Sequence, residues 1–247
     1  MAQLTNMQMM AVALARQIKD GMTCIIGTGL PLLGATIAKY TTAPNAVLIF
    51  ESGIIDGNPL EIPTSVSDLR LALGASVLWP QYRYLGFQNN AYKKGKIDLG
   101  FLGGAQIDIF GNLNSTSIGD YWHPDSRFPG SGGANGIATN VNTVIIMKHE
   151  RRRFCEKVDY ITSPGWIDGP DGRKRLGLPE VGPQALVTDL GVMGFDKETK
   201  RMYLAEYFPG VKIEQIAENT GFEMDLSRAV IAEPPSEEML DILKKLM

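Results

Sequence analysis

Apolar residues in this chain fall into short unbroken runs that stop at small or charged residues. Ala46-Val47-Leu48-Ile49-Phe50 has no polar alternation and runs straight into Glu51-Ser52-Gly53, as a strand covered on both faces of a parallel sheet should. Thr23-Cys24-Ile25-Ile26 stops at Gly27-Thr28-Gly29, Ile97 to Leu102 at Gly103-Gly104, and Asn142 to Met147 at Lys148-His149. Ala185 to Asp189 and Met202 to Tyr207 read as further strands. Helical periodicity lies between and around these runs. It covers Asn6 to Asp20, with apolar positions at Met9, Met10, Val12, Leu14 and Ile18. It continues in Leu32 to Tyr40, where Pro31 suits the opening turn, then in Lys212 to Asn219, and in Glu237 to Leu246 after Pro234-Pro235. Strands alternating with helices predict an α/β fold, an open and mostly parallel sheet with helices on both faces. No repeat, low-complexity tract or linker divides the chain, so residues 1–247 read as a single domain.

Two polar, glycine-bearing stretches break the alternation, Asp56 to Arg70 and Gly111 to Asn140. Connections of that length in a compact domain are usually functional or lean on a partner.

Composition narrows the classes of function. With 24 Lys+Arg against 27 Asp+Glu the net charge is −3, which leaves no extended positive surface for nucleic acid or an anionic membrane. No apolar run approaches the roughly 20 residues of a bilayer span, and the N-terminus lacks the pattern of a secretory signal. The expectation is a cytoplasmic protein that binds neither nucleic acid nor membrane. Cys24 and Cys155 have no CxxC spacing and are expected as free thiols. With only His123 and His149, no metal site is expected.

Ligands of open α/β sheets collect beyond the carboxyl ends of the strands. Glu51, directly after five buried apolar residues, pairs with a cation, caps a following helix, or reacts; Ser52 and Gly53 leave space for a substrate. Gly132-Gly133-Ala134 either turns the chain or brings main-chain N–H groups up to a developing oxyanion. Gly27-Thr28-Gly29 before Pro31 could hold an anion at a helix N-terminus, although neither a Walker loop nor a full dinucleotide fingerprint is present. Arg151-Arg152-Arg153 could meet the phosphates of a nucleotide-like cofactor, or form a solvated or subunit-facing surface. His123 beside Trp122 lines a pocket or makes a structural hydrogen bond. His149 and Glu150 read as packing and polar termination, and Cys155 as a small hydrophobe.

Several segments together resemble the class I, 3-oxoacid-type CoA-transferases, specifically their B-type subunits. They are Ile26-Gly-Thr-Gly-Leu-Pro-Leu32, Glu51-Ser-Gly53, Phe101-Leu-Gly-Gly-Ala-Gln-Ile-Asp108, Gly111-Asn-Leu-Asn-Ser-Thr-Ser-Ile-Gly-Asp-Tyr121, Gly130-Ser-Gly-Gly-Ala-Asn-Gly-Ile-Ala138 and Ile161-Thr-Ser-Pro-Gly-Trp-Ile-Asp-Gly169. The resemblance implies that Glu51 carries CoA as a glutamyl thioester. It implies that Gly104, Gly132, Gly133 and Ala134 shape the CoA and oxyanion site, with Ser52, Gly29 and Asn135 as pocket residues. It further implies a homologous A subunit in a hetero-oligomer. No cofactor would be bound permanently; coenzyme A would be substrate and covalent intermediate, exchanged between an acyl-CoA and a carboxylic acid, a glutaconate-like dicarboxylate being favoured. The same scaffold also serves decarboxylases and hydrolases of CoA-activated acids, and a non-catalytic partner-binding chain is the remaining alternative.

Overall fold

The computed structural model describes residues 4–57, 61, 65, 68–80 and 95–246. The stretch from Asp56 to Arg70 therefore lies partly outside the described residues. The chain forms two compact units, residues 1–101 with 233–247, and residues 102–232.

In the first unit, helix α1 (Asn6–Ala15) starts with a reciprocal cap. The Gln8 N–H donates to Thr5 Oγ1 at 3.3 Å and the Thr5 N–H donates to Gln8 Oε1 at 2.9 Å, which satisfies two N–H groups the helix cannot reach. The helix ends well before the predicted Asp20. Arg16 is its C-cap, the N–H still bonded to Val12 O at 3.1 Å and the guanidinium donating to the carbonyls of Glu233 and Pro234 at 2.9 and 2.8 Å, while Ile18 stays buried just beyond, so the apolar spacing outlasts the helix. Helix α2 (Leu30–Tyr40) holds Pro31 in its first turn as predicted. It packs closely on α1: a Cβ on Gly34 would lie 2.6 Å from that of Leu14. The C-terminal helix Glu237–Leu246 buries Met239 and Leu243.

Strands β1 (Thr23–Ile25), β2 (Val47–Ile49), β3 (Ile54–Ile55), β4 (Val77–Leu78) and β5 (Leu99–Leu102) lie in the order β5-β1-β2-β3-β4. The centre is parallel, with Cys24 opposite Leu48 on one side and Leu99 on the other. The flank is antiparallel, Ile49 facing Ile55 and Ile54 facing Leu78. Leu48, Ile49 and Phe50 are all buried, the two-sided coverage that their unbroken apolar run predicts.

In the second unit the polar stretch from Gly111 to Asn140 is largely structured. Strand β6 (Gln106–Ile107) pairs with β7 (Leu113–Asn114), and β8 (Ser117–Gly119) with β9 (Pro124–Arg127), before helix α3 (Ala134–Asn140). Beyond them β10 (Asn142–Ile146) runs parallel to β11 (Pro183–Val187). Strand β12 (Gly191–Phe195) and β13 (Met202–Tyr207) then continue antiparallel, and β14 (Val230–Ile231) returns parallel to β13. The short helices α4 (Gly172–Arg175) and α5 (Ile213–Glu218) sit in the connections. The β11-β12-β13 meander departs from the predicted strand–helix alternation. Asp189, predicted at the end of a strand, instead accepts the His149 N–H at 2.8 Å. Among the described residues no helix is long and apolar enough to cross a membrane.

Candidate active site

Glu51 sits on a tight hairpin between β2 and β3. The Gly53 N–H donates to the Phe50 carbonyl at 3.0 Å and the Phe50 N–H to Ile54 O at 2.9 Å. Glu51 and Ser52 keep negative φ while Gly53 has φ +93°, the arrangement of a three-residue hairpin closed by a left-handed residue. Only glycine fits there: a Cβ would lie 2.1 Å from the Trp79 carbonyl oxygen, and the Trp79 N–H donates back to Gly53 O at 2.9 Å. No helix follows Glu51, so capping is removed from its possible roles. Among the described residues its exposed carboxylate has no hydrogen-bond or ion-pair partner. Among the described residues the Ser52 Oγ beside it is buried without a partner. The loop holding Gly29 leaves the neighbouring parallel strand at the same edge, joined by the Ile26 N–H to Ile49 O bond of 2.9 Å. Gly29 has φ +76° and open space around it. The first unit thus gathers Glu51, Ser52 and the Gly29 loop at one sheet edge.

In the second unit Gly104 follows β5 with its carbonyl accepting from Arg153 Nη1 at 3.2 Å. The turn 130–135 is braced at both ends. Ser115 Oγ donates to Gly130 O at 3.0 Å, and Asn135 Nδ2 to Thr162 O at 3.0 Å. Thr162 Oγ1 in turn accepts the Ser115 N–H at 2.9 Å and bonds Thr116 Oγ1 at 2.7 Å. The Ala134 N–H is spent on Ser131 O at 2.9 Å, and among the described residues the N–H groups of Ser131, Gly132, Gly133 and Asn135 in this turn make no hydrogen bond. Asn135, expected as a pocket residue, has its amide nitrogen tied into this bracing.

Two buried polar groups hold the scaffold beneath. Asn112 Oδ1 accepts from the Gly165 and Ile167 N–H groups at 2.9 and 3.2 Å, and its amide donates to Asp108 Oδ2 at 2.8 Å. Burial pushes the Asp108 carboxyl up to about 6. Arg173, not singled out by the sequence, is fully buried. Its guanidinium donates to the carbonyls of Pro179, Pro164, Gly165, Ala138 and Thr139 at 2.7, 3.3, 2.9, 3.1 and 2.6 Å. Burial draws its pKa down to about 10, so it stays charged at neutral pH. Nothing in the local sequence separates it from Lys174 and Arg175.

The other flagged residues divide clearly. His149 is buried between Thr188 and Thr220 at 3.3 and 3.0 Å and stacks on Phe154 at 4.0 Å. Burial lowers its pKa to about 4, the packing role expected of it. His123 is exposed, beside a Trp122 that is 80% exposed. Arg151 donates to the carbonyls of Glu218 and Thr220 at 3.2 and 2.9 Å, while Arg152 and Arg153 share Glu150 at 2.8 and 3.2 Å. Burial pushes the Cys24 thiol up to about 12 and that of Cys155 to about 11, so neither is poised as a nucleophile. Among the described residues no three His, Cys, Asp or Glu side chains gather as a metal-binding group. Among the described residues the Glu51 carboxylate has no partner, which leaves it available as a nucleophile.

Comparison with known proteins finds relatives that match almost the whole chain. The family profile described as Coenzyme A transferase matches residues 7–219. The B subunit of glutaconate CoA-transferase from Acidaminococcus fermentans is 55% identical over 98% of this chain and 91% of its own length. The B subunit of 3-oxoadipate CoA-transferase from Pseudomonas knackmussii is 41% identical over 100% of this chain and 94% of its own. The crystal structure of the Acidaminococcus fermentans glutaconate coenzyme A-transferase superposes with a TM-score of 0.91 at 54% identity, covering 98% of this chain and 94% of that one. With the profile running through both units and each relative matched almost end to end, the chain belongs to the coenzyme A transferase family.

Proposed function

We propose that this chain is the B subunit of a two-subunit CoA-transferase, working with a homologous A subunit, and that Glu51 carries the CoA. The observation that bears most on this is the exposed, unpaired Glu51 carboxylate on a hairpin that the Gly53–Trp79 contact holds rigid. In the reaction the carboxylate attacks the thioester carbonyl of an acyl-CoA and expels CoA thiolate, forming a mixed anhydride. The thiolate then attacks the Glu51 carbonyl, releasing the first acid and leaving a glutamyl-CoA thioester. An incoming acid reverses both steps, so acyl-group energy is conserved provided water is kept out. No histidine base is required. The resemblance gives the CoA and oxyanion roles to Gly104 and the Gly132-Gly133 turn, and the free N–H groups of the braced turn suit the oxyanion role. Both similar proteins are named for dicarboxylic acids, glutaconate and 3-oxoadipate, which supports a dicarboxylate as the acid. The profile match across both units supports treating residues 1–247 as one functional module.

The test uses the complex reconstituted with its A subunit, given glutaconyl-CoA without acceptor acid and followed by intact mass and released carbon dioxide. A CoA-sized adduct should appear on this chain once per site and be absent in Glu51→Gln. An adduct that survives in that variant, or sustained carbon dioxide release without any adduct, overturns the assignment.

A further inference from the structure

Among the described residues two side-chain polar atoms, Ser52 Oγ and Ser117 Oγ, are buried without any hydrogen-bond partner. A buried hydroxyl left unsatisfied costs stability, so each such group calls for an explanation. The two differ in what lies beside them. Ser117 is fully buried, and its N–H and carbonyl both bond the Asn114 side chain, at 3.3 and 2.7 Å. Neither of its chain neighbours, Thr116 and Ile118, carries an ionisable group. Ser52 follows directly on Glu51, whose exposed carboxylate is equally without a partner among the described residues. An unused donor and an unused acceptor thus occupy consecutive residues of one tight hairpin.

The backbone around them is closed. The Phe50 N–H donates to Ile54 O at 2.9 Å, the Gly53 N–H to Phe50 O at 3.0 Å and the Trp79 N–H to Gly53 O at 2.9 Å. Tilting Ser52 toward a new acceptor would break one of these bonds, whereas the Glu51 side chain, with its tip in solvent, turns freely about its single bonds. The acceptor therefore comes to the donor, and the Glu51 carboxylate is the group able to do so.

We infer that in the reacting state the Ser52 hydroxyl donates a hydrogen bond to one oxygen of the Glu51 carboxylate, and that the unsatisfied hydroxyl of the resting chain is kept for that contact. The inference rests on the reading of Glu51 as the CoA carrier and adds to it the residue that aims the nucleophile. With one carboxylate oxygen held, the other is directed at the acyl-CoA carbonyl, which removes rotational freedom before the bond forms. When the CoA thiolate adds to the Glu51 carbonyl of the anhydride, the same hydrogen bond lies on the oxygen where negative charge develops. The proton stays on Ser52 Oγ throughout. Ser52 is thus a positioning residue for Glu51.

The experiment follows single turnover of glutaconyl-CoA by the complex reconstituted with its A subunit, reading the rate of adduct formation on Glu51 by rapid quench and intact mass, together with Tm. In Ser52→Ala the saturating rate should fall about tenfold, the scale of losing one hydrogen bond to a charged group. The half-saturating concentration of glutaconyl-CoA should stay, because the hydroxyl touches the enzyme's carboxylate and not the coenzyme. Tm should hold or rise by roughly 2–4 °C, since an unsatisfied buried group has been removed. Ser52→Thr and Ser52→Val form a second comparison, in which both carry the same added bulk and only threonine keeps a hydroxyl; threonine should be faster by about the same factor. Ser117→Ala, which sheds the other unpartnered hydroxyl, should keep the native rate. Adduct formation at the native rate in Ser52→Ala, a loss carried entirely by the half-saturating concentration, equal rates in the threonine and valine variants, or an equal loss in Ser117→Ala overturns the inference. The native complex separates this failure from that of the transferase reading: no adduct on native Glu51 sinks the transferase reading, whereas an adduct formed at the native rate in Ser52→Ala sinks only the role of Ser52.

Discussion

Replacing Gly53 by alanine tests whether the hairpin under Glu51 is held as the structure shows. At φ +93° a side chain costs about 1–2 kcal/mol in left-handed backbone alone. The added Cβ would sit 2.1 Å from the Trp79 carbonyl oxygen, and relief to ordinary contact requires a shift of roughly 1 Å. That shift breaks or lengthens the 2.9 Å Trp79 N–H to Gly53 O bond, worth about 1 kcal/mol. The sum, about 2–3 kcal/mol, corresponds to a fall in Tm of roughly 4–12 °C for a chain of this size. Because Glu51 lies two residues away, a displacement near 1 Å should also lower turnover by about 100-fold. Gly21→Ala is the comparator, since Gly21 has φ +79° but nothing within 4 Å of its would-be Cβ; it should show the backbone cost with turnover retained. The assay is calorimetric Tm, turnover and yield of the Glu51 adduct for both variants in the reconstituted complex. Native turnover and Tm in Gly53→Ala would contradict a rigid hairpin, as would equal losses of turnover in both.

Arg173→Leu strips the five carbonyls of Pro164, Gly165, Pro179, Ala138 and Thr139 of their donor. At about 1 kcal/mol per bond this amounts to about 5 kcal/mol, or roughly 10–20 °C in Tm, and Arg173→Lys, with three donors on one nitrogen, should fall between; a leucine variant melting within about 3 °C of native would rule out the bracing role. His149 stays neutral down to about pH 4 against an ordinary value of 6.5, so as pH falls through that window the unfolded chain takes up a proton the native ring refuses and stability is lost. Asp108, raised from 3.8 to about 6, acts in the opposite sense. His149→Gln should therefore lose less stability than the native chain between pH 7 and 4.5, by about 2 kcal/mol in urea unfolding, and parallel declines in the two would count against the buried neutral ring.

Features that depend on neighbours in the chain were legible from the residues alone. Val47 to Phe50 cannot expose an unbroken apolar run, so it must be a covered strand, and Pro31 after a glycine turn marks the start of α2 because its ring fits only a first turn. Glu51 drew attention for the same local reason, a carboxylate set against buried apolar residues. The chain alone left open whether that carboxylate caps, pairs or reacts. Tertiary structure removed capping by turning the chain into β3 and locking Gly53 against Trp79, a residue far beyond the reach of local pattern. It capped α1 at Arg16, whose guanidinium finds its acceptors at Glu233 and Pro234, 217 and 218 residues away. It resolved the arginine run into one side chain spent on backbone carbonyls and two that share Glu150. It made Arg173 the hub of the second unit and gave β12, whose run is broken by Gly191 and Gly194, a place between two antiparallel neighbours. Periodicity and turn chemistry act over a few residues and can be read along the chain, whereas the partner of a buried donor or a strand edge is chosen only when distant segments meet and polar groups must be satisfied away from water.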